Sequence, residues 1–311
     1  ALEASSHGLD QRRLDGLAPT AAAFTNLTQD HLDYHGDMER YFAAKARLFE
    51  ALLPADGVAV INGDDPWGRR LAKMAAARGQ TVRLYGAESD CALRMVEARP
   101  TAEGLTTALT VDGVARRLDL PLVGGFQAAN ALAALGLVLA AGLSLDAALD
   151  ALPALRGAPG RMEVMGGGVY VDYAHTPDAL ARALAALRPH AEGRILCVFG
   201  CGGDRDAGKR PLMGAAVGRG AEVAIVTDDN PRSEPPAEIR AAAAAGVRAA
   251  GGDPIEIGDR RAAIMAAVAQ RAPGDVVLIA GKGHEPGQTI GGVVHPFDDR
   301  AEARAALAAA A

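Results

Sequence analysis

A chain of 311 residues, 50% of them hydrophobic and 23% charged, is long enough for two domains with apolar cores, and its composition disfavours disorder. The formal net charge of −6 and the dispersed basic residues disfavour a nucleic-acid groove, because phosphate backbones are bound by clustered lysine and arginine. Aromatic residues make up only 4%, so the cores are expected to be mainly aliphatic, which suits helices packed on sheets.

Neither a membrane span nor a disulfide framework is expected. The longest apolar run, ALAALGLVLAAGLSL, is shorter than the roughly 20 residues that cross a bilayer, and the first residues lack the basic and apolar regions of a signal peptide. Three cysteines, Cys91, Cys197 and Cys201, form an odd set in a long chain. They indicate reduced, buried thiols in a cytoplasmic protein without membrane contact, rather than a redox or metal site.

The chain begins with a sequence that resembles the end of a core strand. In ALEASSHGLD, apolar residues lead directly into Glu3, Ser5, Ser6 and His7. A native domain seldom starts in this way, because chain termini are usually ragged and polar. We therefore expect that a segment upstream is missing.

The segment FTNLTQDHLDYHGDMERYFAAKARLF, residues 24–49, holds a dense set of metal-type donors. Ahead of a predicted amphipathic helix stand Asp30, His31, Asp33 and His35. Oxygen and nitrogen donors at this density suggest a divalent metal that serves phosphate chemistry. The helix itself bears Lys45, for which periodicity alone predicts a solvated surface charge.

Two other interpretations of the same segment stay open. It is also typical of a polar loop followed by a helix cap, with Asp37 as the capping residue and Arg40 at the third helical position. The four-residue spacing of His31 and His35 is found in zinc helices, but Leu32 occupies the position where a zinc protease has its general-base glutamate.

The rest of the first half is a mixture of helix and strand patterns. We predict helices at Met38–Leu52, Gln127–Ala141 and Leu145–Leu152, strands at Gly57–Asn62 and Val82–Tyr85, and a β-hairpin within Ala92–Leu122 that turns at Val111-Asp112-Gly113. The segment PALRGAPGR, rich in proline and glycine, is the best linker candidate. It predicts two domains, residues 1–157 and 158–311.

The second half alternates short apolar runs with helix-length segments, which predicts a parallel, doubly wound sheet. The predicted strands lie in VYVDYA, RILCVFG, AEVAIVTD and VVLIAG, and one alanine-rich helix is predicted between the last two. Each strand is followed by a polar, turn-rich segment: DYAHTPD, GCGGDRD, TDDNPR and GKGHEPG. Ligands bind at the carboxyl ends of such strands, so these four segments predict one binding crevice.

One of these segments nearly matches a phosphate-binding loop. Residues 203–210, GDRDAGKR, fit the pattern GxxxxGK, but Arg210 stands where serine or threonine should bind magnesium. Asp204 and Asp206 within the loop would repel phosphate. We therefore interpret the segment as an anion or amino-acid site that uses Arg205.

Eight motifs, in chain order, give the sequence a strong resemblance to the Mur ligase family. They are EASSHGL, FTNLTQDHLDYHGDMERYFAAK, GGFQAANALAA, GRMEV, VDYAHTPDAL, FGCGGDRDAGKRPLMG, TDDNPRSE and AGKGHE, and they span nearly the whole chain. The resemblance implies an α/β fold in which the remnant of a central P-loop-type ATPase domain is followed by a Rossmann-like, doubly wound C-terminal domain.

The resemblance also implies a reaction. The motifs are similar to those of family members that use ATP and Mg²⁺ to join meso-diaminopimelate to UDP-MurNAc-L-Ala-D-Glu during peptidoglycan synthesis. In that reaction an acyl phosphate of the D-glutamyl carboxylate is attacked by the amino group of diaminopimelate. A cytoplasmic monomer is implied as well. Lysine addition, glutamate extension of folate, or a non-catalytic amino-acid-binding remnant are the alternatives.

Residue by residue, the resemblance implies four sets of contacts. The catalytic set consists of the magnesium ligands Glu3 and His31 and of Lys45, which is carbamylated by CO₂ in the family. The muramoyl-peptide set is Ser5, Gln11 and Arg13. The ATP set is Asn130, Arg161, Asp172 and His175. The diaminopimelate set is Arg205, Asp229, Asn230, Pro231, Arg232, Gly281 and Glu285. Asp30, Asp33 and His35 are left as scaffold.

The sequence departs from the family at its beginning. The family's N-terminal uridine-nucleotide domain and its GxxGKT-type phosphate loop are absent from these 311 residues. We therefore expect this polypeptide by itself to show no ligase activity.

Overall fold

The computed structural model describes residues 1–101 and 104–310, and it divides into two compact units, Ala1–Leu155 and the part of the chain that begins at Arg156. Ala102 and Glu103, inside the predicted hairpin segment, and Ala311, at the end of the second predicted domain, lie outside the described residues. Both units are layers of helices on sheets, so the predicted α/β class is confirmed.

Unit 1 is built on a mixed sheet whose described strands follow one another in chain order. The strands are β1 (Ala21–Phe24), β2 (Val58–Asn62), β3 (Thr81–Gly86), β4 (Leu93–Thr101), β5 (Gly104–Val111) and β6 (Val114–Leu120). Neighbours from β1 to β4 pair in parallel, and β4, β5 and β6 pair antiparallel. The predicted turn joins β5 to β6, with φ of 48° at Asp112 and 84° at Gly113, as a two-residue hairpin requires.

Helices cover both faces of this sheet. They are α1 (Ser6–Asp10), α2 (Leu32–His35), α3 (Met38–Arg47, continued by a π-helical turn at Leu48–Leu52), α4 (Pro66–Ala77), α5 (Gly125–Ala140) and α6 (Leu145–Ala151). Tyr41 and Phe42 of α3 pack in one core cluster with Phe24 and Ile61, whereas α5 and α6 supply the other cluster. Asp37 caps α3 by accepting a hydrogen bond from the Arg40 N–H (2.8 Å), as predicted.

Unit 2 contains the predicted parallel sheet, in the order β11-β10-β9-β12-β8-β7 among the described residues. The strands are β7 (Glu163–Gly166), β8 (Val169–Asp172), β9 (Ile195–Phe199), β10 (Val223–Val226), β11 (Ile255–Glu256) and β12 (Val276–Ala280), and only the edge strand β7 pairs antiparallel. A further hairpin consists of β13 (Gly287–Ile290) and β14 (Val293–Pro296).

The helices of unit 2 include elements that the sequence analysis missed. They are α7 (Pro177–Leu187), α8 (Lys209–Gly220), α9 (Pro236–Ala249), α10 (Arg260–Ala269) and α11 (Asp299–Ala309). The prediction of one alanine-rich helix between β10 and β12 is wrong, because α9, β11 and α10 all lie there. Alanine suits both the core and the surface, so it hid the break between the helices, and the two-residue β11 is too short for a periodic signal.

Small residues bring α8 and α9 into backbone contact. A side chain on Gly214 would overlap the carbonyl of Ala243, and one on Gly246 would overlap the carbonyl of Pro211.

The cysteine prediction is confirmed: Cys91, Cys197 and Cys201 are free and buried, and burial raises the pKa of Cys201 to about 12. None of the helices in the described part of the chain is both long and apolar enough to cross a membrane.

A completely buried ion pair fixes the carboxyl end of β12. Arg260, the first residue of α10, donates from Nε to Asp299 Oδ1 (2.8 Å) and from Nη2 to Asp299 Oδ2 (2.7 Å), and both side chains are 0% exposed. Nη2 also donates to the Ala280 carbonyl (2.9 Å). Burial opposes the charge on Arg260, but Asp299 outweighs it and raises the pKa of Arg260. The pair therefore ties the amino ends of two helices to the last residue of the central strand.

We expect Asp299→Asn to lower the free energy of unfolding of unit 2 by about 3–5 kcal/mol, because it leaves the Arg260 charge buried and uncompensated. Urea unfolding followed by circular dichroism measures this, with hydrogen exchange of α10 and α11 to locate the effect. The matched control is Glu256→Gln in the exposed pair Arg248–Glu256, which should cost less than about 1 kcal/mol. Equal costs for the two variants would contradict the account.

Candidate active site

His31 and Lys45 flank the ring of Tyr41 in unit 1, and Glu3 is near enough for its charge to act on Lys45. Lys45 Nζ lies 5.2 Å from the centre of the Tyr41 ring, and the His31 ring meets it edge-on at 6.0 Å. Glu3 is exposed, and its charge acts on Lys45. The structure thus brings together the three residues that sequence periodicity alone could not connect.

The backbone at His31 is held in an uncommon conformation. Its φ is 55°, its N–H donates to Asp30 Oδ1 (2.9 Å), and its Nε2 lies 3.3 Å from Asp30 Oδ2. Left-handed backbone at a residue other than glycine is costly and is found preferentially at functional sites. Asp30 thus holds His31 in position, in keeping with the scaffold role expected of it.

Lys45 is partly buried, so the expectation of a solvated surface charge is wrong. Burial lowers the pKa of Lys45, and the charges of Glu3 and Asp30 oppose that shift. Periodicity assigned Lys45 to the solvated side of α3, but the segment that contains Asp30 and the start of the chain lie against it. An ammonium in this position is poorly solvated, which favours the neutral, nucleophilic amine.

Lysine is rare in this chain, and its distribution is informative. The 32 basic residues include only four lysines, Lys45, Lys73, Lys209 and Lys282. Lys73 is exposed, whereas Lys45 is partly buried and Lys209 and Lys282 are buried. Arginine serves elsewhere, so the sequestered positions are ones where a compact charge or a removable proton is needed.

His35 has a structural role, as expected. It is 6% exposed, stacks on Tyr41 (5.0 Å between ring centres) and lies with Nε2 3.0 Å from Ser6 Oγ. Burial lowers the pKa of His35. Asp33 is exposed.

The predicted muramoyl-peptide residues lie at α1. Ser5 Oγ accepts a hydrogen bond from the Gly8 N–H (3.1 Å), Gln11 Nε2 donates to Tyr34 Oη (3.2 Å), and Arg13 Nη2 donates to Gln11 Oε1 (2.6 Å). An open cleft of about 550 Å³ lies beside them, lined by Asp10, Tyr34, His35, Arg40, Ala43, Ala44 and Arg47.

The predicted ATP residues lie in both units. In unit 1, Asn130 Nδ2 donates to Gln127 Oε1 (3.0 Å) one turn earlier on α5. In unit 2, the Arg161 guanidinium lies 4.5 Å from the centre of the Tyr173 ring, and His175 Nδ1 is 2.8 Å from the Tyr173 carbonyl.

Asp172 anchors the backbone at the end of β8. Its carboxylate is buried and accepts hydrogen bonds from the N–H groups of Met162 (2.7 Å) and Ala174 (2.8 Å). Burial raises the pKa of Asp172, and the two N–H donors oppose this shift. Both oxygens are thus engaged by the protein, so the ATP contact assigned to Asp172 remains a prediction.

The polar segments after β8, β9, β10 and β12 meet at one edge of the unit 2 sheet, as the sequence predicted. Asn230 Nδ2 donates to Glu285 Oε2 (2.9 Å), and Tyr173 Oη donates to Glu285 Oε1 (3.4 Å). Arg232 Nη1 donates to the Gly203 carbonyl (2.6 Å). Parallel strands bring their carboxyl ends together, which explains why four separate segments form one crevice.

Two arginines flank Gly202 in this crevice. A Cβ added to Gly202 would lie 3.0 Å from Arg232 Nη1 and 3.7 Å from Arg205 Cγ. Arg205 is exposed, whereas the backbone of Arg232 is left-handed (φ 52°). Two backbone hydrogen bonds fix Arg232 to the β13–β14 hairpin. Its N–H donates to the Thr289 carbonyl (3.0 Å), and its carbonyl accepts from the Gly291 N–H (2.7 Å). The hairpin therefore sets the position of Arg232.

The aspartates of the GxxxxGK-like segment are engaged within the protein. Asp204 accepts hydrogen bonds from the Ser233 N–H (3.1 Å) and Oγ (2.7 Å), and Asp206 Oδ1 accepts from the Gly208 N–H (2.9 Å). Both aspartates therefore have partners within the segment and its surroundings. The interpretation of the segment as part of an anion or amino-acid site remains a prediction.

Models of two domain families match most of the chain. Residues 1–138 match the Mur ligase middle domain, and residues 160–283 match the Mur ligase, glutamate ligase domain. The chain belongs to the Mur ligase family. This confirms the resemblance of the motifs and places the predicted fold class within a known family.

Named relatives support the same conclusion. The UDP-N-acetylmuramoyl-L-alanyl-D-glutamate–2,6-diaminopimelate ligase of Caulobacter vibrioides is 56% identical over 99% of this chain and 63% of its own length, and that of Mesorhizobium japonicum is 52% identical with the same coverage. A solved structure of a protein with this name is 43% identical (TM-score 0.62, 99% of this chain, 64% of that one). The folylpolyglutamate synthase of Mycobacterium tuberculosis complexed with ADP and AMPPCP is 26% identical (TM-score 0.70, 84% and 61%).

This Mur ligase chain thus spans about 63% of the length of the curated relatives it matches. Among the described residues, no group of three or more His, Cys, Asp or Glu side chains is arranged to hold a metal ion. The assignment of Glu3 and His31 as magnesium ligands remains a prediction.

Sequence analysis missed one residue of the crevice of this Mur ligase. Lys282 is 0% exposed, and its Nζ lies 3.0 Å from Glu285 Oε2, 3.1 Å from Asn230 Oδ1 and 3.5 Å from Asp229 Oδ1. Two signals could have found it: it lies within the motif AGKGHE, and it is one of only four lysines.

We expect Gly281→Ala to destabilise unit 2 more than Gly291→Ala does. Both glycines have positive φ (117° and 57°), so each alanine is strained, by about 1–2 kcal/mol for left-handed backbone. Only at Gly281 would the new Cβ meet a neighbour, Asp229 Oδ2 at 2.8 Å, whereas nothing lies within 4 Å of the Cβ at Gly291. Urea unfolding of both variants makes the comparison, and equal stability losses would refute the close approach.

Proposed function

We propose that the two units are the central and C-terminal domains, residues 1–157 and 158–311, of an ATP-dependent ligase that joins meso-diaminopimelate to UDP-MurNAc-L-Ala-D-Glu. The observation that carries this is the crevice of unit 2, where Glu285, Asp229, Arg205 and Arg232 supply groups for both ends of an amino acid. Relatives named as this ligase, at up to 56% identity, support the assignment.

The proposed reaction has two stages. The γ-phosphoryl group of ATP passes to the D-glutamyl carboxylate, which gives ADP and an acyl phosphate. The neutral amino group of diaminopimelate then attacks the acyl carbon, the tetrahedral intermediate expels phosphate, and the nitrogen loses a proton as the amide forms. Crowded phosphate and carboxylate oxygens must be neutralised throughout, which is the main electrostatic demand on the site.

In unit 1 we propose that Glu3, His31 and a carbamate on Lys45 bind Mg²⁺. Bound Mg²⁺ would offset negative charge on the phosphate oxygens. CO₂ adds to the Lys45 amine with loss of a proton, and the product is an anionic, carboxylate-like group. The position of Lys45 supports this modification, because its Nζ lies over the Tyr41 ring that His31 meets edge-on and the charge of Glu3 acts on it.

The substrate contacts follow the family's pattern as proposals. Acidic Glu285 and Asp229 are suited to an ammonium of diaminopimelate, and Arg205 and Arg232 to its carboxylates, because guanidinium groups pair with carboxylates bidentately. The remaining proposed contacts are Asn230, Pro231 and Gly281 for diaminopimelate, Ser5, Gln11 and Arg13 for the muramoyl peptide, and Asn130, Arg161, Asp172 and His175 for ATP. A cytoplasmic, monomeric protein also remains a prediction.

The first test is calorimetry with the 311-residue chain. We expect meso-diaminopimelate to bind at least tenfold more tightly than L-lysine, which lacks the second carboxylate, because a charged hydrogen bond contributes roughly 1.5–3 kcal/mol. Arg232→Ala should weaken meso-diaminopimelate by about tenfold or more and leave L-lysine nearly unchanged. The control is Arg219→Ala, an exposed arginine on α8.

Each outcome of the calorimetry is decisive. Tighter binding of L-lysine would favour a lysine-adding ligase of the same family. Tighter binding of glutamate would favour the chemistry of the folylpolyglutamate synthase relative. Binding of none of these amino acids to a folded chain would overturn the proposed role of the crevice.

The second test concerns Lys45. With ¹³C-labelled bicarbonate, we expect one protein-bound carbamate carbon in the NMR spectrum, which disappears in Lys45→Ala and persists in Lys73→Ala. Lys73 is the suitable control because it is the exposed lysine of the four. A signal that survives Lys45→Ala, or no signal in the wild type, would contradict carbamylation at this position.

A further inference from the structure

The ammonium of Lys282 lies at the centre of the unit 2 crevice, below its surface. Lys282 is 0% exposed, whereas the Glu285 side chain is 34% exposed. An ammonium is strongly hydrated in water, so burying it is costly unless its three N–H groups find acceptors. Lys282 has three oxygens around it, on Glu285, Asn230 and Asp229, at 3.0 to 3.5 Å.

These contacts divide the two oxygens of Glu285 between the protein and the crevice. Oε2 accepts from Lys282 Nζ (3.0 Å) and from Asn230 Nδ2 (2.9 Å), so the protein occupies it. Among the described residues, Oε1 has only the long contact with Tyr173 Oη (3.4 Å). One oxygen is thus held from behind, and the other is left for a donor that enters from the crevice.

The same lysine fixes the orientation of the Asn230 amide. Asn230 Oδ1 accepts from Lys282 Nζ (3.1 Å) and from the Thr289 N–H (2.9 Å), which leaves Nδ2 to donate to Glu285. An ammonium can only donate, so the amide cannot turn around without placing its NH₂ group against Lys282. Asn230 therefore links the β13–β14 hairpin to Glu285 through hydrogen bonds from its two amide atoms.

Lys282 also sets the net charge of the cluster. With Asp229 and Glu285 ionised, the three side chains carry −1, and without the lysine they would carry −2. Asp229 Oδ1 has no hydrogen-bond partner among the described residues, so the attraction of Lys282 at 3.5 Å is what compensates it. Arg260 lies behind Asp229 but is already paired with Asp299.

We propose that Lys282 is a positioning residue of the amino-acid pocket: it holds Glu285 so that Oε1 receives an ammonium group of the incoming diamino acid, and it supplies the positive charge beside the two acids. This inference rests on the proposed function of the crevice. The single remaining negative charge matches the single ammonium that would enter. Lys282 itself makes no contact with the ligand in this arrangement.

The proposal predicts a dependence of binding on pH that appears only when the lysine is removed. Two carboxylates that share a site without a cation hold a proton more tightly than a single one. In Lys282→Met the incoming ammonium must displace that proton, so its dissociation constant should fall as pH rises. In the wild type Lys282 supplies the compensating positive charge, so the dissociation constant should change little.

Other charged and titratable groups face Glu285 and are the same in both proteins. They are Tyr173 and Arg260, which interact with Glu285, Asp229 beside Lys282, and Arg161, His175 and His284, which lie against the Tyr173 ring. Burial raises the pKa of Tyr173 to about 12, so it does not titrate in the range that matters. The wild type is the reference at each pH, because it shares these groups with the variant.

The experiment is calorimetric titration of the 311-residue chain with meso-diaminopimelate between pH ~6 and ~8, well below the ordinary amine pKa of about 10. We expect Lys282→Met to bind at least tenfold more weakly than the wild type at the lower pH and to recover most of that loss at the higher pH. Glu285→Gln should bind weakly at both, without recovery. Lys73→Met serves as the control and should match the wild type.

The outcomes separate this inference from the proposed function. If the wild type does not bind meso-diaminopimelate, the proposed function and the role of Lys282 fall together. If the wild type binds and Lys282→Met binds equally well, or is weakened by the same factor at every pH, Lys282 has no positioning role and only the inference falls.

A second measurement does not require the variant to fold. The chain has four lysines, so after ¹³C labelling of the lysine ε carbon, single substitutions of the other three lysines identify the Lys282 signal by elimination. We expect the Lys282 signal to shift saturably with meso-diaminopimelate while the Lys73 signal stays in place. An unchanged Lys282 signal at saturation would overturn the proposal.

Discussion

The charged groups buried at the carboxyl end of β12 are the constraint on which the structure of unit 2 depends. β12 lies between β8 and β9, so its end is enclosed on both sides and any charge there needs a partner. Arg260 and Asp299 are paired behind this end, and Lys282 is compensated by two acids in front of it. The Arg260–Asp299 pair holds α10 and α11 in place, and the Lys282 cluster faces the crevice. Groups that stabilise unit 2 and groups proposed to bind the ligand therefore lie at the same strand end.

Two lysines illustrate how burial produces different chemistry. Lys282 is enclosed by three acceptor oxygens, so it acts as a fixed positive charge. Lys45 lies above an aromatic ring, where burial lowers its pKa and favours the neutral amine. The same side chain thus serves as an electrostatic anchor in one unit and, in our proposal, as a nucleophile toward CO₂ in the other. Arginine can fill neither position, because it does not release its proton and its planar group is larger.

The sequence was sufficient for the strands and strand ends of unit 2, since short apolar runs followed by turn-forming polar residues give a direct signal for parallel strands. It was insufficient where the signal is tertiary. Periodicity placed Lys45 on a solvated face of its helix. It could not show that the segment around Asp30, which lies outside the helix, covers this side chain. The role of Lys282 depends on Asn230 and Asp229, which lie about fifty residues away, and α10 was hidden by an alanine-rich composition. The family resemblance supplied the proposed binding residues. It did not show which of their side-chain oxygens already accept hydrogen bonds from other groups of the protein.

The central claim is that the crevice recognises a diamino acid through Glu285 while Lys282 stays behind it. A crystal structure of the 311-residue chain with meso-diaminopimelate tests this most directly. The account predicts an ammonium group of the ligand within hydrogen-bond distance of Glu285 Oε1, its carboxylates on Arg205 or Arg232, and Lys282 still bound to Glu285 Oε2 and Asn230. A ligand carboxylate bound to Lys282 Nζ, or a ligand located elsewhere on the protein, would contradict it.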